Sequence, residues 1–304
     1  MTGTVAVTGA TGFIGRHIVH ALLAQGFTVR ALTRRAGNVA VDNLTWVPGA
    51  LEDQPSLAEL VYGADAVVHC AGQVRGHAEA VFTRCNVTGS LCLMQAVRQS
   101  SRCRRFLFIS SLAARYPALS WYAHSKYIAE QQLTAAASGV TLGIFRPTAV
   151  YGPGDKELKP LFNALLRGVL PRLGAPEAKL SFLHVSDLAT AVSQWLLVSP
   201  AQPNIYELCD GAAEGYTWRR LRDIGAAVRQ GPVHLLPIPL PLLTCIAEIS
   251  LLWCRMTKQE PMLTHSKIHE LTHRDWSASN QRLSQHISWY PQVSLARALR
   301  EGLF

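Results

Sequence analysis

Tyr122 and Lys126 stand four residues apart in Trp121 to Leu133, a segment that reads as a helix, so both side chains leave the same face within reach of one another. A tyrosine is a poor acid or base at neutral pH unless its surroundings tune it. From a reference pKa of about 10, lowering it by about three units takes roughly 4 kcal/mol of differential stabilisation of the phenolate. A nearby lysine ammonium has the required sign. Ser111 follows a strand expected at Arg105 to Ser110, where its hydroxyl could hold a substrate carbonyl or alcohol beside the tyrosine. Taken alone, the YxxxK spacing more often marks a surface Tyr and Lys on an ordinary helix.

A second constellation opens the chain. Val5 to Gly15 reads VAVTGATGFIG, running from an apolar strand into glycines 9, 12 and 15. Gly9 would permit a sharp turn, Gly12 a close approach of backbone to phosphate oxygens, and Gly15 tight packing of helix on strand. The helix that follows would turn its free N–H groups and positive dipole end toward an anion. Ile14, Ile18, Ala21 and Leu22 share one face of that helix, Gln25-Gly26 closes it, and a second strand is expected over Thr28 to Leu32. Strand, glycine loop, helix and strand together make the context that a dinucleotide fingerprint requires.

The elements that must position these residues alternate along the chain. Apolar runs at Ala66 to Cys70, Arg105 to Ser110 and Val140 to Phe145 are separated by helical patterns at Phe82 to Arg98 and Trp121 to Ala136. The expected fold is α/β, a Rossmann-type doubly wound parallel sheet with a smaller C-terminal substrate-binding domain. Residues 1–150 would form the NAD(P)-binding Rossmann domain with return segments near 183–208. Residues 151–182 and 209–304, where Gly152-Pro153-Gly154 and later prolines break the rhythm, would form the smaller domain.

Composition narrows the class. The chain of 304 residues is 49% hydrophobic and 16% charged, enough to bury a large core. Its seven cysteines contain no CxxC pair and no signal-peptide pattern opens the sequence, so a reducing, cytoplasmic setting is expected. The net charge of +9 is dispersed without interleaved aromatics, which disfavours nucleic acid and leaves an anionic cofactor or membrane surface. Leu235 to Met256 is apolar, but Pro237, Pro239, Pro241 and Glu248 leave too short a run for a transmembrane span. A core or pocket-lining helix over Leu242 to Cys254 is expected, with peripheral membrane contact as the alternative. His265, His269 and His273 recur every four residues and would share a helical face, solvated or turned to a partner; no metal site is expected.

The chain resembles the extended short-chain dehydrogenases/reductases of the epimerase/dehydratase type. The residues that carry the likeness are VTGATGFIG at 7–15, VVHCAG at 67–72, Asn86-Val87-Thr88-Gly89, FISS at 108–111, YAHSK at 122–126 and RPTAVYGPG at 146–154, with a fainter match in FLHVSDLA at 182–189. They keep the family's order over about half the chain. The resemblance implies a catalytic Ser111, Tyr122 and Lys126: Tyr122 exchanges a proton with the substrate oxygen, Lys126 holds the nicotinamide ribose and lowers the tyrosine pKa, and Ser111 orients the substrate. Ser110 is left as packing or secondary support, His124 as a helix-surface residue and His184 as structural.

It also implies cofactor contacts at Gly9, Thr11, Gly12, Phe13, Ile14, Gly15, Arg34, Arg35, Leu51, Cys70, Ala71, Gly72, Tyr122, Lys126 and Pro147. Where NAD-preferring relatives place an acid after the second strand, this chain has Thr33 followed by Arg34 and Arg35. Guanidinium groups suit a 2'-phosphate, so NADP(H) is favoured, with NAD(H) the alternative. A homodimer through the helices at 82–98 and 121–136 is a further implication.

Three departures shape the functional expectation. Ala50-Leu51 lacks the acid that relatives place before the adenine-contacting leucine, and Pro147-Thr148 and Lys179-Leu180-Ser181 replace groups that sugar-nucleotide enzymes use. The sequence therefore favours an NADP(H)-dependent oxidoreductase acting on a small-molecule carbonyl or secondary alcohol. A nucleotide-sugar epimerase/dehydratase with internally recycled cofactor is the first alternative, and a non-catalytic dinucleotide sensor or scaffold the second.

Overall fold

Alternating short apolar strands and amphipathic helices can bury both faces of a sheet only if successive crossovers place helices on either side. The computed structural model, which describes residues 3–35, 39–198, 204–245, 247–248 and 264–304, has this arrangement. Seven strands make the central sheet: β1 Thr4–Thr8, β2 Thr28–Thr33, β3 Leu44–Pro48, β4 Ala66–His69, β5 Arg105–Ile109, β6 Thr141–Pro147 and, after four strands outside this sheet, β11 Asn204–Leu208. Their order is β11-β6-β5-β4-β1-β2-β3, and every pairing is parallel. The order reverses between β1 and β4, so a crevice opens at their carboxyl ends.

On one face, α1 Phe13–Ala24 and α7 Val185–Leu197 bury Ile18, Leu22, Leu188 and Val192 against Val5, Val7 and Val68. On the other, α2 Gln54–Val61, α4 Gly89–Gln99 and α5 Trp121–Ala136 bury Leu57, Leu93, Ala129 and Leu133 against Val67, Phe106 and Phe108. A separate apolar cluster around Tyr151, Phe162, Leu170, Phe182 and Trp218 lies beyond the sheet. It joins β7 Ala149–Tyr151, α6 Lys159–Leu166, β8 Val169–Leu173, β10 Phe182–His184 and α8 Trp218–Arg229. β7 and β10 pair in parallel, β9 Lys179–Leu180 pairs antiparallel with β12 Tyr216–Thr217, and β8 pairs in parallel with β13 His234–Ile238.

Several expectations need correction. The helix expected over Phe82 to Arg98 is three pieces: α3 Glu79–Phe82, a π-helical turn Thr83–Thr88, and α4. One wide turn inserts an extra residue per turn, which hydrophobic periodicity cannot register. β3 and α2, short and only half apolar in pattern, carried too weak a signal to be anticipated. His273 lies beyond the helix His265–Leu271, its ring 4.2 Å from that of Tyr116 and 4.8 Å from that of Trp276, so the three histidines do not share a helical face. Most of the helix expected over Leu242 to Cys254 lies outside the described residues.

Candidate active site

The glycine loop has the backbone that its spacing demands. Gly9 adopts φ +71°, and a Cβ there would lie 2.6 Å from the amide nitrogen of Ala71 on the neighbouring strand end. A Cβ on Gly15 would collide with the Gly9 carbonyl, so only glycine lets α1 start this close to β1. Gly12 is the N-cap of α1, with no side-chain cap and no acid in the first turn. The first-turn N–H groups are thus left for an anion, and Thr11 and Gly12 are exposed above them. These features fit a dinucleotide pyrophosphate. Phe13 and Ile14 begin the helix half-buried.

Around the loop the other expected cofactor residues fall at the ends of successive strands. Arg34 and Arg35 are exposed just past β2, and the Arg35 amide donates to the Thr33 hydroxyl at 3.1 Å. Arg34 is close enough to Cys85 for its charge to act on that thiol. Leu51 is buried against Gly89, where a Cβ would come within 2.9 Å of it. Cys70, Ala71 and Gly72 follow β4, the Ala71 amide donating to the Thr8 hydroxyl at 3.3 Å, and Pro147 is buried at the end of β6. Burial pushes the Cys70 thiol up to about 12.

Ser111, Tyr122 and Lys126 converge at the same rim. Ser111 caps a 3₁₀ turn, Leu112–Arg115, its hydroxyl accepting from the Ala113 amide at 3.2 Å, and it is near enough to the Tyr122 phenol to oppose the effect of burial on it. Tyr122 lies in the first turn of α5, which Ser120 caps by accepting from Ala123 N at 2.9 Å. Lys126, one turn on, is 3% exposed and donates to the Ile109 carbonyl at 3.0 Å. Its Nζ stands 4.7 Å from the Phe108 ring centroid and 3.2 Å from where a Gly72 Cβ would be.

Burial, the largest influence, drives Tyr122 upward; the nearby Ser111 hydroxyl opposes it and the Glu270 charge adds to it. Burial also pulls Lys126 down to about 8, with Cys70, Cys85 and Glu130 acting in the other direction. The side chains therefore rest as a phenol and a weakened ammonium.

Residues not singled out from the sequence complete the frame. Asn86, in the π-helical turn, donates to Gln73 O at 3.0 Å and Ser125 Oγ at 2.9 Å and accepts from Gln73 N at 2.7 Å. Ser125 in turn donates to Tyr122 O at 2.8 Å. His69, wholly buried and held down to about 3 by burial, bridges Thr8 Oγ1 at 2.6 Å and Ser90 Oγ at 2.8 Å. Since Ser90 donates to Asn86 O at 2.6 Å, Nε2 of His69 carries the proton and Nδ1 accepts from Thr8. Asn86 was visible only as part of its motif.

Two carboxylates anchor α5. Glu130, fully buried, takes an ion pair from Arg146 at 2.5 Å and accepts the Ser110 hydroxyl. Glu270, on the helix His265–Leu271, accepts the Ser120 hydroxyl and pairs with Lys267 at 2.7 Å; the Lys267 Nζ is 5.9 Å from the Tyr122 ring centroid. Nothing in the sequence marks Glu270, because its partner is 150 residues away. His184 bonds Ser186 and the Leu303 carbonyl, and His124 pairs with Glu79 at the surface.

A parallel sheet with a glycine-loop crevice and a Ser-Tyr-Lys cluster on its rim defines a dinucleotide-dependent α/β enzyme. Residues 5–209 match the NAD dependent epimerase/dehydratase family, and the chain belongs to that family. It is 33% identical over 292 residues to a ceramide reductase of Caulobacter vibrioides, covering 94% of this chain and 89% of that protein. It is 27% identical over 292 residues to a decarboxylating sterol-4-alpha-carboxylate 3-dehydrogenase of Dictyostelium discoideum, covering 86% and 88%. The UDP-glucose 4-epimerase of Thermotoga maritima shares the fold, with TM-score 0.73 and 20% identity over 98% of this chain and 96% of that one. The protein is thus an enzyme of a family that binds a nicotinamide dinucleotide.

Proposed function

We propose that this enzyme is an NADP(H)-dependent oxidoreductase that interconverts a ketone and a secondary alcohol on a lipid-like substrate, with Tyr122 as acid/base. The observation that carries the reading is the meeting of Ser111, Tyr122 and a buried Lys126 at one rim, where β5 ends and α5 begins. In the reductive direction Ser111 holds the substrate oxygen and Tyr122 donates its proton to that oxygen as the carbonyl carbon is reduced. A bound NADPH supplies the hydride. The upward push of burial and Glu270 on the phenol keeps Tyr122 in the protonated form that reduction requires. Lys126 holds the ribose end and Arg34 the 2'-phosphate. The names of the two curated relatives, a ceramide reductase and a sterol dehydrogenase, support the substrate class.

The test is a panel of long-chain ketones and UDP-sugars incubated with NADPH. Loss of nicotinamide absorbance in step with alcohol formation supports the proposal. Sugar epimerisation without net NADPH consumption overturns it in favour of a recycled cofactor, a reading that 27% identity to a UDP-glucose 4-epimerase of Vibrio cholerae keeps in the panel. Persistence of all activity in Tyr122→Phe would take the acid/base role away from Tyr122.

A further inference from the structure

Four of the large apolar side chains that remain exposed fall on β8, on β13 and on the segment that follows it: Val169, Leu236, Leu240 and Leu242, at 40, 52, 55 and 49%. The register of β8 with β13 pairs Val169 with His234 and Pro171 with Leu236. Register partners in a parallel pair point to the same side, so these residues form the outer face of the two-stranded sheet. Leu170 and its partner Leu235 pack the other face against the second core. The chain then enters a helical segment at 240–245, where Leu243, with Ala247 just beyond, packs on Ile268 and covers the end of this same face at Leu173 and Ile238. Leu240 and Leu242 stay outside.

Cations border this apolar face. Lys156, Lys159 and Arg167 line an open groove with Val169, all three exposed and, among the described residues, without a carboxylate partner. Arg229 lies against Gly168, its guanidinium 3.1 Å from where a Cβ would stand. The nearby acids offer little opposition: Asp155 is buried and accepts from Glu157 N and Leu158 N, and Glu157 pairs with Arg75. Glu248 lies at the far end of the helical segment. Exposed apolar side chains on β8, β13 and the segment after it, with lysine and arginine beside Val169 on a chain of net charge +9, match a surface that is apolar inside and anionic at its boundary.

We propose that this face seats the protein on an anionic phospholipid bilayer, with Leu236, Leu240 and Leu242 entering the interface and Lys156, Lys159 and Arg167 at the phosphates. The seat is continuous with the site. Ile268, which Leu243 and Ala247 touch, sits on the helix whose Glu270 grips Ser120 at the head of α5. The same helix carries Lys267, whose Nζ is 5.9 Å from the Tyr122 ring centroid.

The experiment is co-sedimentation of the full chain with vesicles of phosphatidylcholine alone or mixed with phosphatidylglycerol, without substrate or cofactor, so that its outcome is independent of the reaction proposed above. The protein is expected to sediment with the mixed vesicles, to remain soluble with phosphatidylcholine alone, and to be released by high salt. The double variants L236D/L240D and K159E/R167E are each expected to reduce the bound fraction about tenfold or more. Their thermal melting and NADPH affinity should match wild type, which separates lost docking from lost folding. Absence of sedimentation with mixed vesicles, or unchanged sedimentation of both variants, overturns the proposal. So does a lipid-free dimer in light scattering that L236D/L240D dissolves, which would give the face to a second copy of this chain.

Discussion

The Lys126 ammonium donates to the Ile109 carbonyl at 3.0 Å, tying the middle of α5 to the last residue of β5 just before Ser110 and Ser111. One buried contact thereby fixes the distance between the serine-bearing strand end and the helix that carries Tyr122. It also commits one ammonium proton to the protein and leaves two for a ribose.

Replacing Tyr122 by Phe removes the proton donor and keeps the ring. Turnover should fall by about a hundredfold to ten-thousandfold, with NADPH affinity within about twofold of wild type, measured by single-turnover absorbance and calorimetry. An equal loss in binding and turnover would show that the phenol holds the cofactor.

Burial lowers Lys126 to about 8, below its unfolded value. The unfolded chain then binds more protons between those two values, so the cofactor-free protein gains stability as pH rises from about 8 toward 10.5. Cofactor binding that uses the ammonium has the opposite sense: it is strongest below about 8 and weakens above. Calorimetry across that range should show the loss, and Lys126→Met should flatten it.

Glu270 acts on Tyr122 by raising its pKa. In Glu270→Gln that charge is gone, the phenol ionises at lower pH, and the alkaline limb of the reduction profile should move downward. An unmoved limb, with only slower turnover, would assign Glu270 to docking its helix alone.

Arg34 stands exposed past β2 with no acid at Thr33. Arg34→Ala should weaken NADPH binding by about tenfold to a hundredfold, the worth of a charge-assisted hydrogen bond, and leave NADH nearly unaffected. Equal loss for both would place the guanidinium elsewhere on the dinucleotide.

In the Glu130–Arg146 pair the carboxylate is fully buried and the guanidinium half-buried, the side chains 0 and 14% exposed. Glu130→Ala strands the guanidinium and should cost about 3–5 kcal/mol of stability by denaturant unfolding. Ser110→Ala, which removes only a hydroxyl from the same carboxylate, should cost about 1 kcal/mol.

The sequence by itself determined whatever depends on neighbours along the chain. Glycines at 9, 12 and 15 specify their turn because each constrains its own φ or a contact one helical turn away. Strict alternation of apolar runs and helical patterns specified the parallel sheet, and the Tyr122 to Lys126 spacing specified a shared helix face. The tertiary structure decided what depends on residues meeting across the fold. That Glu270 reaches Ser120, that the turn at Asn86 widens to a π-helix, and that Lys126 is spent on Ile109 follow from how packed elements come to rest. Burial, which sets the pKa of Tyr122 and Lys126, belongs to the same class: desolvation is a property of the assembled surroundings, and no local pattern of residue types encodes its sum.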